Sequence, residues 1–186
     1  MQELSELSRL IGENQTRLLR YAGRYLREPQ DARDAVQEAF IKLARAMQAG
    51  LVIDNAEAWL FKVLRNRCFD FLKSKRLKVE VSLEVGFDFS NDGVGSPDTE
   101  ASAMDDIKML KCLVQGLSAN EREIICLKLE HGKSYKEIAE IAGLSVSNVG
   151  FILHNAMKKM QKAYRELESS PQLAAAIQKP ALSEGR

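Results

Sequence analysis

The stretch Ser134-Tyr-Lys-Glu-Ile-Ala-Glu-Ile-Ala-Gly-Leu-Ser-Val-Ser-Asn-Val149 constrains this chain more than any other. Ile138, Ala139 and Ile141 set an apolar stripe at helical spacing on one short helix. Gly143 stands where that helix must end, because glycine enters the left-handed conformation of a C-terminal cap at little steric cost. Ser145 can cap the next helix by accepting a backbone N–H that would otherwise lack a partner. Two short helices joined by a tight glycine turn build a helix-turn-helix, the unit that lays its second helix in the DNA major groove. The same pattern fits an ordinary helical hairpin, so the residues that follow must decide.

On a helical wheel of residues 146–165, Val149, Leu153, Ala156, Met157, Met160 and Tyr164 share the side that would pack inward. Ser147, Asn148, Phe151, Asn155, Lys158, Lys159 and Lys162 share the other side. Amides and hydroxyls there can read base edges, while lysines hold phosphates. Phe151 is out of place on a solvated face. A thymine methyl, another protein, or a neighbouring helix lying partly over it would each account for the ring.

The net charge of +1 hides a sorted distribution. Residues 1–80 hold 15 Lys/Arg against 11 Asp/Glu, residues 81–120 hold 2 against 7, and residues 121–186 hold 10 against 8. A basic block, an acidic spacer and a weakly basic block point to two nucleic-acid-facing units on a connector. Apolar residues make up 45% of the chain, enough for real cores. No apolar run approaches the roughly 18 residues of a membrane span, so no membrane insertion is expected. The N-terminal Met-Gln-Glu-Leu-Ser-Glu lacks the basic-then-apolar pattern of a signal peptide. Cys68, Cys112 and Cys126 sit in apolar helical patterns and read as reduced core thiols of a cytoplasmic protein. None has a second ligand at metal-binding spacing, so neither metal nor cofactor is expected. His131 and His154 are isolated and read as surface residues.

Helical periodicity organises the rest. It runs through residues 4–27 (Leu7, Leu10, Ile11, Leu18, Leu19, Leu26) and stops before Pro29. A second amphipathic helix spans Asp31–Met47, with Ala35, Ala39, Phe40 and Leu43 inward; Gly50 breaks it, and residues 49–55 form a loop. A third covers residues 56–76. Turn formers and acids then dominate residues 79–103, which read as a flexible acidic linker. Helices resume near Met104 and continue to residue 168; the tail, residues 169–186, contains Pro171 and Pro180 and is expected to be disordered. No strand pattern of useful length appears. The expected fold is all-α, with one small helical domain at residues 8–78 and a second, the helix-turn-helix, at residues 104–168.

The third helix carries a second signal. Leu60, Phe61, Leu64, Cys68 and Phe71 form its inner side, while Trp59, Lys62, Asn66, Phe69, Lys73 and Arg76 fall within about a 100° arc opposite. Rings interleaved with cations suit unpaired bases, since rings stack and cations follow the backbone. A solvated face with Trp59 tucked against the next helix gives the same pattern, and Asn66 with Asp70 can be a local hydrogen-bonded pair.

Four motifs in order now resemble the extracytoplasmic-function (ECF) sigma factors, small two-domain members of the bacterial sigma-70 family. They are Asp31-Ala-Arg-Asp-Ala-Val-Gln-Glu-Ala-Phe40, then Trp59-Leu-Phe-Lys-Val-Leu-Arg-Asn66 with Asp70, then Leu117 through Arg122-Glu123, and finally Gly132, Ser134-Tyr135, Glu137-Ile138-Ala139 and Gly143. The resemblance spans residues 8–165. It implies a non-catalytic protein whose first domain binds the β′ coiled coil of core RNA polymerase and opens the −10 element. The second domain would read the −35 element of promoter DNA and hold the β flap. Residue by residue, the resemblance puts Asp31, Asp34, Gln37 and Glu38 on the polymerase. Trp59, Lys62, Arg65, Asn66 and Asp70 lie beside the melted strand, and the loop 50–55 is where the family captures a flipped base. An anti-sigma protein is a further candidate partner.

Departures from the family pattern stand at Ser147-Asn-Val-Gly-Phe-Ile-Leu-His-Asn-Ala156, where Gly150, Ile152 and Asn155 replace positions that are often basic or hydroxylic. Phosphate anchoring then leans on Lys158, Lys159 and Lys162. Leu117-Ser118 stands for the usual Leu-Pro, a modest change, because serine also starts helices well. Two other classes compete. A decoy that only sequesters an anti-sigma protein has no use for the ring-and-cation stripe. An autonomous helix-turn-helix regulator should dimerise on a palindrome, and no dimer seam is evident.

Overall fold

The computed structural model describes residues 2–78, 113–114 and 116–169. Among the described residues the helices run in order: α1 (Gln2–Gly23), α2 (Pro29–Gln48), α3 (Ala56–Lys78), α4 (Ala119–Leu129), α5 (Tyr135–Ala142) and α6 (Val146–Ser169). No strand occurs among the described residues, in agreement with the all-α reading. The linker expected at residues 79–103, the helix expected from Met104 with Cys112 on it, and the tail from residue 170 lie outside the described residues; Ser169, assigned to the tail, instead ends α6.

Local chemistry explains where the helices begin and end. Helix α1 stops at Gly23, short of the periodic stretch; Leu26 continues the apolar pattern from the connecting turn, where it is fully buried. Pro29 does not merely bound the first helix but opens the second, since proline at the first helical position has no N–H to satisfy. Asn55 starts α3 by accepting the Ala58 N–H at 2.9 Å. Ser118 opens α4 with a capping box: its Oγ accepts from the Glu121 N–H, and Glu121 accepts from the Ser118 N–H at 2.8 Å. Ser134 and Glu137 repeat the device at α5. Gly143 caps α5 at φ 68°, and the Ser145 Oγ accepts the Asn148 N–H at 3.2 Å. Both turn residues therefore do what their chemistry predicts.

Helices α1–α3 pack mutually, as do α4–α6, which produces two helical units. Leu18, Tyr21, Leu43, Leu60, Phe61 and Leu64 fill the first; Ile124, Leu127, Ile138, Ile141, Val149 and Ala156 fill the second. The two are not apart. Helix α3 lies along α5, and the buried residues of both units form one contiguous cluster.

Candidate nucleic-acid and partner interfaces

The α2 face named for polymerase binding is wet. Asp34 and Gln37 are exposed, and Asp31 and Glu38 are half-buried. Asp34 accepts a hydrogen bond from Gln30 at 2.8 Å. Glu38 is the most engaged, pairing with Lys42 at 3.3 Å and with Arg67 of α3 at 2.5 Å. Beside this face, Ile11, Gln15, Leu19, Val36, Gln37 and Phe40 line an open groove of about 320 Å³ between α1 and α2.

Helix α6 divides much as its wheel does. Val149, Leu153, Ala156 and Met160 are buried, but Met157 and Tyr164 are 41% and 43% exposed and do not belong to the inner side. Their positions fall at the margins of the buried arc. On the outer side Ser147, Asn148, Lys158, Lys159 and Lys162 are exposed and Asn155 is half-buried. Phe151 is 65% exposed, so no neighbouring helix explains it. Lys159 has a partner, donating to both carboxylate oxygens of Glu121 at 2.8 and 2.9 Å. Burial alone would raise the Glu121 pKa, but the bonds from Lys159 and from Ser118 outweigh it and lower it. Lys158, Lys162, Asn155 and Arg165 line an open cleft of about 890 Å³ along this side.

The α3 stripe is where sequence and structure diverge. Asn66, Asp70 and Lys73 are exposed, and Trp59 is half-buried against the core. The Arg76 side chain lies outside the described residues. Arg65 and Lys62 meet the second unit. Arg65 donates from Nε to Glu123 at 2.5 Å and from Nη2 at 3.2 Å, while its guanidinium sits 4.6 Å above the Phe69 ring. Phe69 in turn leans on Tyr25 at 5.5 Å. Lys62 lies 4.0 Å from Glu140, and Asn55 donates to Glu137 at 2.9 Å. Burial by itself would lower the Arg65 pKa; the hydrogen bond and charge of Glu123 reverse this and raise it well above the ordinary arginine value.

Around this contact lies a cluster that the sequence reading did not assemble. Tyr21 donates to Glu123 at 2.8 Å, and Arg24 donates to Glu130 at 3.1 Å. Arg17 donates to the His131 carbonyl at 2.7 Å and pairs with Glu57, which also holds Lys133 at 2.7 Å. The aromatic centre is the His131 ring, edge-on to Phe61 at 4.9 Å and to Tyr21 at 5.8 Å. His131 is therefore a buried residue and not the surface residue its isolation in sequence suggested. Burial, helped by Arg17, Lys133, Arg20 and Arg24, drives its pKa down to about 3. One signal was present in the sequence: Glu123 abuts the apolar run Ile124-Ile-Cys-Leu127, and an acid there must find a cation. Cys126, Glu130 and His131 bring possible ligand atoms within 4.8 Å of one another, although no spacing motif marks them. Arg24 and Arg20 already hold Glu130, at 3.1 and 3.5 Å, and the four cations around His131 oppose a further positive ion.

Two helical units, the second a helix-turn-helix with a polar and cationic outer face, define a class of DNA-directed helical protein. The comparisons narrow the class. Residues 10–77 match the profile of Sigma-70 region 2, and residues 107–160 match that of Sigma-70, region 4. The chain is 32% identical over 174 residues to the ECF RNA polymerase sigma factor SigL of Mycobacterium tuberculosis, covering 89% of this chain and 92% of that protein. It is 28% identical over 177 residues to an RNA polymerase sigma-E factor of Streptomyces avermitilis, covering 95% and 93%. Among solved structures, the sigma factor RpoE bound to the anti-sigma factor NepR from Bartonella quintana superposes with a TM-score of 0.64 at 22% identity, over 86% of this chain and 97% of that one. The structure of CnrH with the cytosolic domain of CnrY gives 0.54 at 20% identity, over 86% and 88%; these likenesses are of fold. The chain belongs to the ECF sigma factors of the sigma-70 family.

Proposed function

We propose that this chain is a promoter-specificity subunit, without catalysis of its own, that binds core RNA polymerase in the cytoplasm and opens chosen promoters. The observation that supports it most is the outer face of α6, where Ser147, Asn148 and Phe151 precede Lys158 and Lys162 on an exposed surface. Base-reading groups at the start of the second helix with phosphate-holding cations further on is the arrangement that enters a major groove. In this reading that face takes the −35 element and the second unit meets the β flap. The α2 face (Asp31, Asp34, Gln37, Glu38) meets the β′ coiled coil. The α3 stripe, from Trp59 and Lys62 through Arg65, Asn66, Phe69 and Asp70 to Lys73 and Arg76, takes the melted −10 strand. The domains run over residues 8–78 and 104–168, with residues 79–103 as linker. An anti-sigma protein is a further partner class, since the RpoE structure is a complex with the anti-sigma factor NepR. No helix among the described residues is long and apolar enough to cross a membrane.

Run-off transcription with purified core polymerase on genomic fragments tests the reading. Addition of the chain should yield discrete transcripts that share two upstream elements. Core polymerase that transcribes no differently with and without it would sink the proposal.

A further inference from the structure

The fold makes little use of the Phe151 ring. It is 65% exposed, more than Val146, Met157 or Tyr164, the other exposed large apolar groups of α6. Those three do not enlarge its surface, because at about 3.6 residues per turn they lie roughly 120–140° round the helix from it. On its own face stand Ser147 and Asn148 one turn before it, Asn155 one turn after it, then Lys158 and Lys162. The side-chain amides of Asn148 and Asn155 bond to no other group among the described residues. An anchor for a protein partner gathers apolar neighbours, whereas this ring stands alone among amides and cations.

We propose that Phe151 selects thymine at the base pair it faces in the upstream promoter element, its ring closing over the C5-methyl group while Lys158 and Lys162 hold neighbouring phosphates. This rests on the reading of α6 as the helix that enters the major groove. In that groove thymine alone presents a methyl group, and the other bases present hydrogen-bonding edges. A phenyl ring has neither donor nor acceptor, so against a purine it would strip water from N7 and from O6 or N6 and return nothing. Against thymine it buries apolar surface on both partners. Position favours the contact, since the base-reading residues of such a helix lie near its N-terminus and Phe151 is its sixth residue. One side chain thus adds affinity for one base and penalises the rest.

Holoenzyme reconstituted from the full chain and core polymerase tests it, on a fluorescein-labelled duplex carrying a promoter found by run-off transcription. Each thymine of the upstream element, on either strand, is replaced in turn by uracil, which lacks only the methyl group. For wild type, uracil at one position should weaken binding about fourfold, the worth of one buried carbon group. At that position 5-methylcytosine should bind more tightly than cytosine. Phe151→Ala should weaken binding to the thymine duplex with helical circular dichroism and thermal midpoint unchanged, and it should no longer distinguish either methylated base from its unmethylated form. Phe151→Leu, which keeps an apolar group, should retain part of the preference. Uracil equal to thymine at every position in wild type, or a methyl preference that survives Phe151→Ala, overturns the proposal. Phe151→Ala that weakens binding equally on every duplex makes the ring a protein contact and overturns it too. Lys158→Ala with Lys162→Ala separates this inference from the reading beneath it. If that pair weakens binding on all duplexes while uracil has no effect, only the role of Phe151 falls. If the pair changes nothing, α6 is not on the DNA and both fall.

Discussion

Both ring nitrogens of His131 are buried without a hydrogen-bond partner, while the imidazole packs by its edges against two aromatic rings. Such a site accepts only the neutral ring. Charging it would bury a cation near Arg17, Arg20, Arg24 and Lys133, with Glu130 already committed to Arg24. The folded pKa near 3 lies below the ordinary 6.5, so the unfolded chain binds the extra proton between those values. Stability from this group is full above about pH 6.5 and is lost as pH falls toward 3. Between about pH 7.5 and about pH 5.5, wild type should lose roughly 1.4 kcal/mol more than His131→Phe in urea unfolding. Parallel pH profiles for the two proteins would show that the ring is not held neutral. The thiols follow related physics. Burial pushes Cys68 up to about 12 and raises Cys126 well above its usual value, so both should resist iodoacetamide at mildly alkaline pH until the protein unfolds. Peptide mass mapping that finds either one alkylated in the native state would contradict this.

At the scale of the helix, α6 separates lysines that look equivalent in sequence. Lys158 and Lys162 are exposed, and the latter has only a loose pair with Glu166 at 3.8 Å. Lys159 is clamped to Glu121, the residue that also closes the α4 capping box. Lys158→Ala and Lys162→Ala should each flatten the salt dependence of DNA binding by about 0.9 in slope. Lys159→Ala should change the slope little and lower the thermal midpoint instead, because Glu121 loses a charged partner in a buried setting. Equal slope changes for all three would mean that Glu121 releases Lys159 to the DNA. The glycine turn and the Ser145 cap of this unit were readable from residue chemistry, since they depend on neighbours only three or four positions away. Met157 and Tyr164 were misplaced for the opposite reason. A wheel gives the direction of a side chain but not the width of the helix that faces it.

For the whole molecule, the proposed division of labour predicts that the polymerase contact can be removed alone. Asp34→Arg with Glu38→Arg should abolish co-elution with core polymerase while the helical circular dichroism stays unchanged; Glu38→Arg by itself should cost some stability, since it sets two cations, Arg67 and Lys42, beside a third. Retained co-elution at wild-type affinity would place the contact elsewhere. Helical class, helix order, most inward faces and the capped turn were all legible in the chain, because each rests on periodicity or on backbone chemistry repeated within a few residues. The partners of Arg65, Glu123, Tyr21 and His131 were not legible. Their separations of 58 and 102 residues carry no period, and an ion pair leaves no local trace of which of many opposite charges it will meet. The sequence by itself determined two amphipathic helical units with a helix-turn-helix in the second. Only the tertiary structure decided that the acids of one cover the cations of the other, because that choice depends on which faces remain unfilled after each unit has packed its own core.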